Sequence, residues 1–203
     1  MSRGRLFIIS APSGAGKTTL AKALVSSVPN TVLSVSHTTR SRRAGELDGT
    51  DYHFVDGEQF QKMVREDKFL EYAMVFSNYY GTSHVTVEQQ LSRGKNVLLD
   101  IDWQGAREVK QKVPDVCSIF VLPPSRKELE KRLRDRGQDS ETVITDRMRE
   151  ASEEMRHHDE YEYLVVNDDF DQALADLRAI ITGNEERRRP VSADLTNLLR
   201  ESA

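Results

Sequence analysis

Short apolar runs separated by amphipathic stretches dominate the chain, and this alternation predicts an α/β fold with a parallel sheet covered by helices. The runs predicted as core strands are Leu6 to Ser10, Val32 to Val35, Val97 to Ile101, Ser118 to Leu122 and Tyr163 to Val166. Helical spacing lies between them. Leu20, Leu24 and Val28 share one face after the first strand, and Leu129 with Leu133 marks a later helix. Ser125-Arg126-Lys127-Glu128 reads as a capping box that opens that later helix. A further helix is predicted from Ser140 to His157, with Ile144, Met148, Ala151 and Met155 inward.

The alternation breaks between Arg40 and Thr82. Here Tyr52-His53-Phe54-Val55, a short helix over Glu58 to Glu66, then Phe69 to Phe76 and Tyr79-Tyr80 predict an inserted lobe of mixed or antiparallel strands. After Ile181 the chain becomes charged. Arg187-Arg188-Arg189 reads as a solvated helix end, and Leu195, Leu198 and Leu199 predict one short amphipathic helix.

Composition narrows the picture. The length of 203 residues suits one compact domain with small inserted lobes. With 33 acidic and 29 basic residues, the net charge of -4 offers no overall basic surface for nucleic acid. No run of 18 apolar residues and no apolar leader at the N-terminus are visible, which predicts a soluble, cytoplasmic protein without membrane partners. The single cysteine, Cys117, abuts an apolar run and reads as a buried packing residue. Oligomeric state is not legible.

The strongest chemical signal is Ala11-Pro12-Ser13-Gly14-Ala15-Gly16-Lys17-Thr18, set between a predicted strand and a predicted helix. Small residues let backbone N–H groups wrap phosphate oxygens, and the following helix adds its positive N-terminal end. Lys17 is expected to reach the β- and γ-phosphates of ATP, and the Thr18 hydroxyl to bind Mg²⁺. The first position of the pattern usually holds glycine. Ala11 stands there, so that turn has to avoid positive φ. Asp100 ends the run Asn96-Val97-Leu98-Leu99 and reads as an acid that holds Mg²⁺ through a water.

A second cluster, Ser36-His37-Thr38-Thr39-Arg40-Ser41-Arg42-Arg43-Ala44-Gly45-Glu46, places three arginines within four positions. Such a cluster suits a compact dianion such as a nucleoside monophosphate, or else forms a solvated surface run.

The ordered set Ser36-x-x-Thr39-Arg40-x-x-Arg43-x-Gly45-Glu46, Tyr52, Phe69-Leu70-Glu71, Asn78-Tyr79-Tyr80-Gly81-Thr82, Asp100-Ile101-Asp102-x-Gln104-Gly105, Pro123-Pro124-Ser125, Arg136-Gly137 and Val166-Asn167-Asp168-Asp169 resembles the guanylate kinase family from Arg5 to Ile181. The resemblance implies a P-loop core (1–36 and 83–183) with a helical lid at about 126–157, an inserted mixed α/β GMP-binding lobe (37–82) and a tail (184–203). It implies transfer of the γ-phosphoryl group of ATP to GMP.

By resemblance, Arg40 and Arg43 with the Tyr52 and Tyr80 hydroxyls grip the GMP phosphate. Glu71 reads guanine through N1–H and the N2 amino group, donors that adenine lacks there. Ser36 and Thr82 face the other guanine edge, Asp102 adds a base contact, and Asn167 touches the adenine of ATP. Arg132, Arg136 and Arg147 close over the donor phosphates as a lid and join Lys17 as the catalytic cations. Two other readings share parts of the pattern. A ribosyl-phosphate kinase shares the phosphate loop and fold, and a non-catalytic guanylate-kinase-like module shares the family scaffold but lacks a working loop.

Overall fold

The computed structural model describes residues 2–75, 77–135, 140–191 and 194–199. In chain order the first elements are β1 (Leu6–Ser10), α1 (Lys17–Ser27), β2 (Thr31–Leu33), β3 (His37–Thr38), β4 (His53–Phe54), α2 (Gly57–Arg65), β5 (Phe69–Val75) and β6 (Asn78–Ser83). Next come α3 (His84–Ser92), β7 (Asn96–Asp100), α4 (Trp103–Lys112), β8 (Cys117–Leu122) and α5 (Arg126–Asp135). The chain continues with α6 (Glu141–Arg156), β9 (Tyr163–Val166), α7 (Phe170–Ile181) and α8 (Leu195–Leu199).

Among the described residues one sheet runs β2-β7-β1-β8-β9, with β2 parallel to β7 and β8 parallel to β9. Every residue of β1 and β8 is buried. That explains why these strands read as continuous apolar runs rather than alternating ones. Cys117 is a free, buried thiol at the start of β8. A second sheet runs β4-β3-β6-β5 and is mixed: β3 pairs with β4 in parallel and with β6 antiparallel, and β5 pairs with β6 antiparallel.

The helices start where their first residues dictate. Side-chain oxygens of Asp56, Ser83, Asp102, Ser140 and Asp169 accept the backbone N–H three residues on, at the starts of α2, α3, α4, α6 and α7. Ser125 does the same for Glu128 N–H at 3.1 Å, opening α5 where the capping pattern predicts. Each such cap contributes about 1 kcal/mol.

By its contacts the chain divides into two compact units. One holds the residues up to Phe7 with Asn30–Val116, and the other Ile8–Pro29 with the chain from Cys117 onward. In the first unit α3 packs on β7 and α4 packs on β5. Phe60 of α2 stacks on Phe69 at 4.6 Å and on Tyr79 at 5.3 Å, forming the core beneath the mixed sheet. Strand β5 is an edge, and α4 occupies part of its ladder: Glu108 accepts from Tyr72 N–H, and Lys112 donates to the Leu70 carbonyl. An edge so covered does not offer a free template for pairing. In the second unit α7 buries Ala173, Leu174, Leu177 and Ile180 and packs on α1, while α8 packs on α6 through buried Leu198.

Several sequence expectations shift. The strand expected over Val32 to Val35 is Thr31–Leu33. Ser34 still donates its N–H to Leu98 O, but the chain then turns toward β3. The Tyr79-Tyr80 strand extends over Asn78–Ser83, because Gly81 and Thr82 continue the ladder with no alternating apolar pattern to betray it. Phe76, expected in the preceding strand, lies outside the described residues. Helix α4 had no legible stripe because its buried face is Gly105, Ala106 and Val109, two of them too small to register as apolar spacing. His157 and His158 are half-buried at the end of α6, bonded to Glu160 and to the Met155 carbonyl.

Candidate active site

In the second unit the loop after β1 carries the phosphate-binding pattern. Gly14 and Gly16 adopt φ of 94° and 91°, the left-handed region that small residues without Cβ enter cheaply. Ala11 is not among the non-glycine residues with positive φ, so alanine in that first position is sterically acceptable. The loop closes on itself through Ala15 N–H to Pro12 O at 3.0 Å. Lys17 and Thr18 are the first two residues of α1, so they leave the loop at the helix's positive end.

The loop is held from outside at three points. A Cβ on Gly14 would come within 2.9 Å of Leu129 and 3.0 Å of Leu133, so the loop backbone rests on the apolar face of α5. Ser13 donates its N–H to the Glu154 carboxylate of α6 at 3.0 Å. Asn167, 6 % exposed, donates its side-chain amide to the Ala15 carbonyl at 2.7 Å. A Cβ on Gly16 would meet that same amide nitrogen at 2.5 Å. Arg132 Nη2 donates to the Asn167 backbone carbonyl at 3.0 Å, while its Nε donates to Glu128 at 3.1 Å. Arg147 is half-buried on α6, which packs on α5. Arg136 lies outside the described residues.

The first unit assembles the other set. Thr38 and Thr39 pin the approach to the arginine loop: Thr38 Oγ1 donates to Tyr79 O and accepts from Arg40 N–H, while Thr39 Oγ1 accepts from Tyr79 N–H. Arg40 is thereby brought beside Tyr80, which interacts with its guanidinium, and 5.4 Å over the Tyr52 ring. Tyr52 and Tyr80 meet edge to face at 5.9 Å. Arg43 is exposed, but its backbone is drawn in: Arg43 N–H donates to Glu46 Oε2 at 2.8 Å.

Glu46 is the partner that sequence reasoning left without a role. It takes a two-pronged bond from Arg40, Nη2 to Oε1 at 2.7 Å and Nη1 to Oε2 at 3.1 Å. The Arg40 guanidinium holds the Glu46 carboxyl below its ordinary range. The signal available in the sequence was a lone acid at the end of a run of arginines.

Deeper in the same unit, Glu71 and Thr82 are register partners on β5 and β6, and Ser36 Oγ lies 3.4 Å from Thr82 Oγ1. Glu71 is 3 % exposed, and its carboxyl is pushed up to about 7, first by burial and further by the nearby Asp102 and Glu108 charges, against a hydrogen bond from Thr82. Its carboxylate sits against the first turn of α4, where a Cβ on Gly105 would be 2.5 Å from Oε2. Asp102 has a structural task as well as proximity: its Oδ1 accepts the Gly105 N–H at 2.9 Å and caps α4. Asp100 is half-buried at the end of β7. The structure therefore gathers Ser36, Glu71, Thr82 and Asp102 into one polar cluster and Arg40, Tyr52 and Tyr80 into another. No helix among the described residues is long and apolar enough to cross a membrane.

A family model described as guanylate kinase matches residues 3–184. The chain is 55 % identical over 194 residues to the guanylate kinase of Alkalilimnicola ehrlichii, covering 94 % of this chain and 96 % of that one. It is 56 % identical over 189 residues to the guanylate kinase of Escherichia coli strain K12, with 92 % and 91 % covered. A crystal structure of guanylate kinase from Anaplasma phagocytophilum superposes with a TM-score of 0.76 at 35 % identity, covering 91 % of this chain and 87 % of that one.

Proposed function

The chain belongs to the guanylate kinase family and transfers the γ-phosphoryl group of ATP to GMP, and we propose that each substrate is held by one of the two residue sets described above. In this reading GMP takes the Arg40 and Glu71 clusters of the mixed sheet and ATP takes the Lys17 loop. The observation that carries the acceptor assignment is the buried Glu71 carboxyl, pushed up to about 7 beside Thr82, Ser36 and Asp102.

Guanine supplies two N–H donors where adenine supplies none, and these stabilise the ionised form of Glu71. Facing adenine, the same carboxyl would be left buried with only its Thr82 hydrogen bonds, a loss large enough to discriminate strongly. The acceptor phosphate meets Arg40, Arg43, Tyr52 and Tyr80. Glu46 holds the Arg40 fork at a fixed angle, and a phosphate would accept from N–H groups turned toward it.

The reacting oxygen belongs to a phosphate with a second pKa near ~6, so it is ionised at neutral pH and no general base is required. The obstacle is repulsion. Two unit charges at about 5 Å in an effective dielectric of about 20 repel by roughly 3 kcal/mol, and several such pairs meet in the transfer. Lys17, Arg132 and Arg147 supply the compensating charge, with the phosphate-loop N–H groups as fixed donors. Arg136 joins them in this proposal on the resemblance alone. Asn167 is assigned to the adenine end, with one of its amide N–H groups already bonded to Ala15 O.

The Thr18 hydroxyl is a hard oxygen donor of the kind Mg²⁺ prefers, and Asp100 is assigned a role through a water on the resemblance alone; Mg²⁺ bound with ATP would neutralise charge on the donor phosphates. The lobe at 37–82 and the lid at about 126–157 are the segments assigned to acceptor binding and to closure. A cytoplasmic location fits the lone, buried Cys117.

An ADP-release assay offering GMP, AMP and ribose 1,5-bisphosphate separately tests the substrate. Turnover with GMP far above the other two is expected. Turnover with the ribosyl compound and not GMP would reassign the acceptor.

A further inference from the structure

Most of the tail lies beyond the matched family segment, and its arginine triplet reads in the sequence as a solvated end. Arg187 is exposed, but the next two residues are not free in solvent. Arg188 donates from Nη1 to the Leu164 carbonyl at 3.1 Å and lies 5.5 Å over the Tyr163 ring. Arg189 is bonded more extensively. Its N–H and Nε each donate to Asp176 at 2.8 Å, and Asp176 is only 4 % exposed on α7. Its Nη1 donates to Asp168 Oδ1 at 3.1 Å and to Gln172 Oε1 at 2.9 Å. Its Nη2 donates to the Val166 carbonyl at 3.3 Å.

The two residues so gripped, Val166 and Asp168, flank Asn167. Asn167 is a junction of three bonds: its N–H donates to Leu122 O at 2.8 Å, its side-chain amide donates to Ala15 O in the phosphate loop, and its carbonyl accepts from Arg132. Arg189 thus stands one residue away on either side of the group that ties the phosphate loop to the lid arginine. The guanidinium is suited to this because its five N–H donors in one planar fork can serve two carboxylates, an amide oxygen and a backbone carbonyl at once, whereas an ammonium has only three N–H groups.

We propose that Arg189 is a positioning residue for the ATP side of the site, holding the Val166–Asp168 turn so that Asn167 presents the phosphate loop and Arg132 in their binding arrangement. The proposal rests on the reading of the Lys17 loop as the ATP site. A turn released from Arg189 has to be ordered again when ATP binds, and that entropy weakens ATP without touching the acceptor pocket. Loss of the guanidinium also leaves Asp176 buried without its cation, so a fall in thermal stability is common to a positioning and a purely structural role. The split between the two ligands separates them.

The test uses the full chain, titrating a non-hydrolysable ATP analogue with Mg²⁺ and, separately, GMP by calorimetry. Arg189→Gln is expected to weaken the analogue about fivefold to tenfold and to leave GMP within about twofold. Arg189→Lys should recover part of the analogue affinity, because it keeps the charge and loses the fork. Equal losses for both ligands, or a lowered Tm with both affinities unchanged, would overturn the proposal. Should Arg189→Gln fail to fold, Arg189→Lys carries the test: a weakening confined to the analogue supports the role, and unchanged analogue binding removes it. A wild-type chain that binds the analogue but does not phosphorylate GMP would sink the acceptor reading alone, leaving the Arg189 comparison intact.

Discussion

Glu71 can lie against α4 only because residue 105 has no side chain: a Cβ on Gly105 would stand 2.5 Å from Glu71 Oε2 and 3.1 Å from its Cδ. The close approach places the carboxylate at the first turn of α4 beside the capping Asp102, whose charge adds to burial in pushing it up. It also makes a glycine in a helix, ordinarily unfavourable by about 0.5–1 kcal/mol relative to alanine, a requirement of the pocket.

Gly105→Ala is therefore expected to separate function from stability. The clashing atoms are the far end of a side chain that can swing away, and alanine favours the helix, so Tm should change by no more than a few degrees. The displaced carboxylate should raise KM for GMP about tenfold with KM for ATP unchanged, equivalent to about 1.4 kcal/mol of lost binding. Steady-state kinetics with each substrate varied in turn checks this; an unchanged KM for GMP would show that the carboxylate does not read the base from this position.

The Glu71 carboxyl should make both stability and affinity depend on pH, in opposite senses. Its folded value of about 7 lies above the ordinary 4.5, so the folded chain holds the proton more tightly than the unfolded one. The stabilisation is complete below about 4.5 and is lost as pH rises toward 7, on the order of 3 kcal/mol in the chain without ligand. Guanine donors favour the ionised form, so GMP affinity should rise as pH passes upward through 7. Chemical denaturation and calorimetry between pH 5 and about 8.5, wild type against Glu71→Gln, isolate the group, since the phosphate's own ionisation near ~6 is common to both. Parallel profiles for the two proteins would count against it. Glu71→Gln should also narrow the GMP over AMP preference in kcat/KM.

Glu46 holds the Arg40 fork, and Glu46→Gln should loosen its orientation, leaving the Ser41 carbonyl and the Tyr80 and Tyr52 contacts to hold it. KM for GMP is expected to rise about fivefold, with a smaller change in kcat, because the interaction lost is one of orientation. If Glu46 merely competed with the substrate phosphate, removing its charge would tighten GMP instead, and isothermal titration distinguishes the two signs.

Lys17→Ala should abolish most turnover, by at least about a hundredfold in kcat, while GMP binding stays within about twofold of wild type. Lys17 begins α1 directly after the loop, in a different unit from Glu71 and Arg40. Equal loss of catalysis and of GMP binding would contradict the assignment of separate residue sets to donor and acceptor.

How much of this was legible beforehand depended on the range of the forces involved. The phosphate loop is a contiguous segment whose chemistry is backbone N–H, small residues and one lysine, so its spacing alone specifies it. Strands β1 and β8 announced themselves because strands buried on both faces must be apolar throughout, and β9, half-buried at its first two residues, also falls on the predicted bounds, Tyr163–Val166. Helix α4 did not, since Gly105 and Ala106 on its buried face carry almost no hydrophobic signal.

The sequence by itself carried the phosphate-loop pattern and the order of carboxylate and arginines shared with the guanylate kinase family. Only the tertiary structure decided that Glu71 would be buried against Gly105 and titrate near neutrality, that Glu46 would hold Arg40, that Asp102 would cap a helix, and that Arg189 would close on Asp176 rather than face water. Desolvation and pairing energies belong to neighbours brought together by folding, and a residue's own letter carries neither.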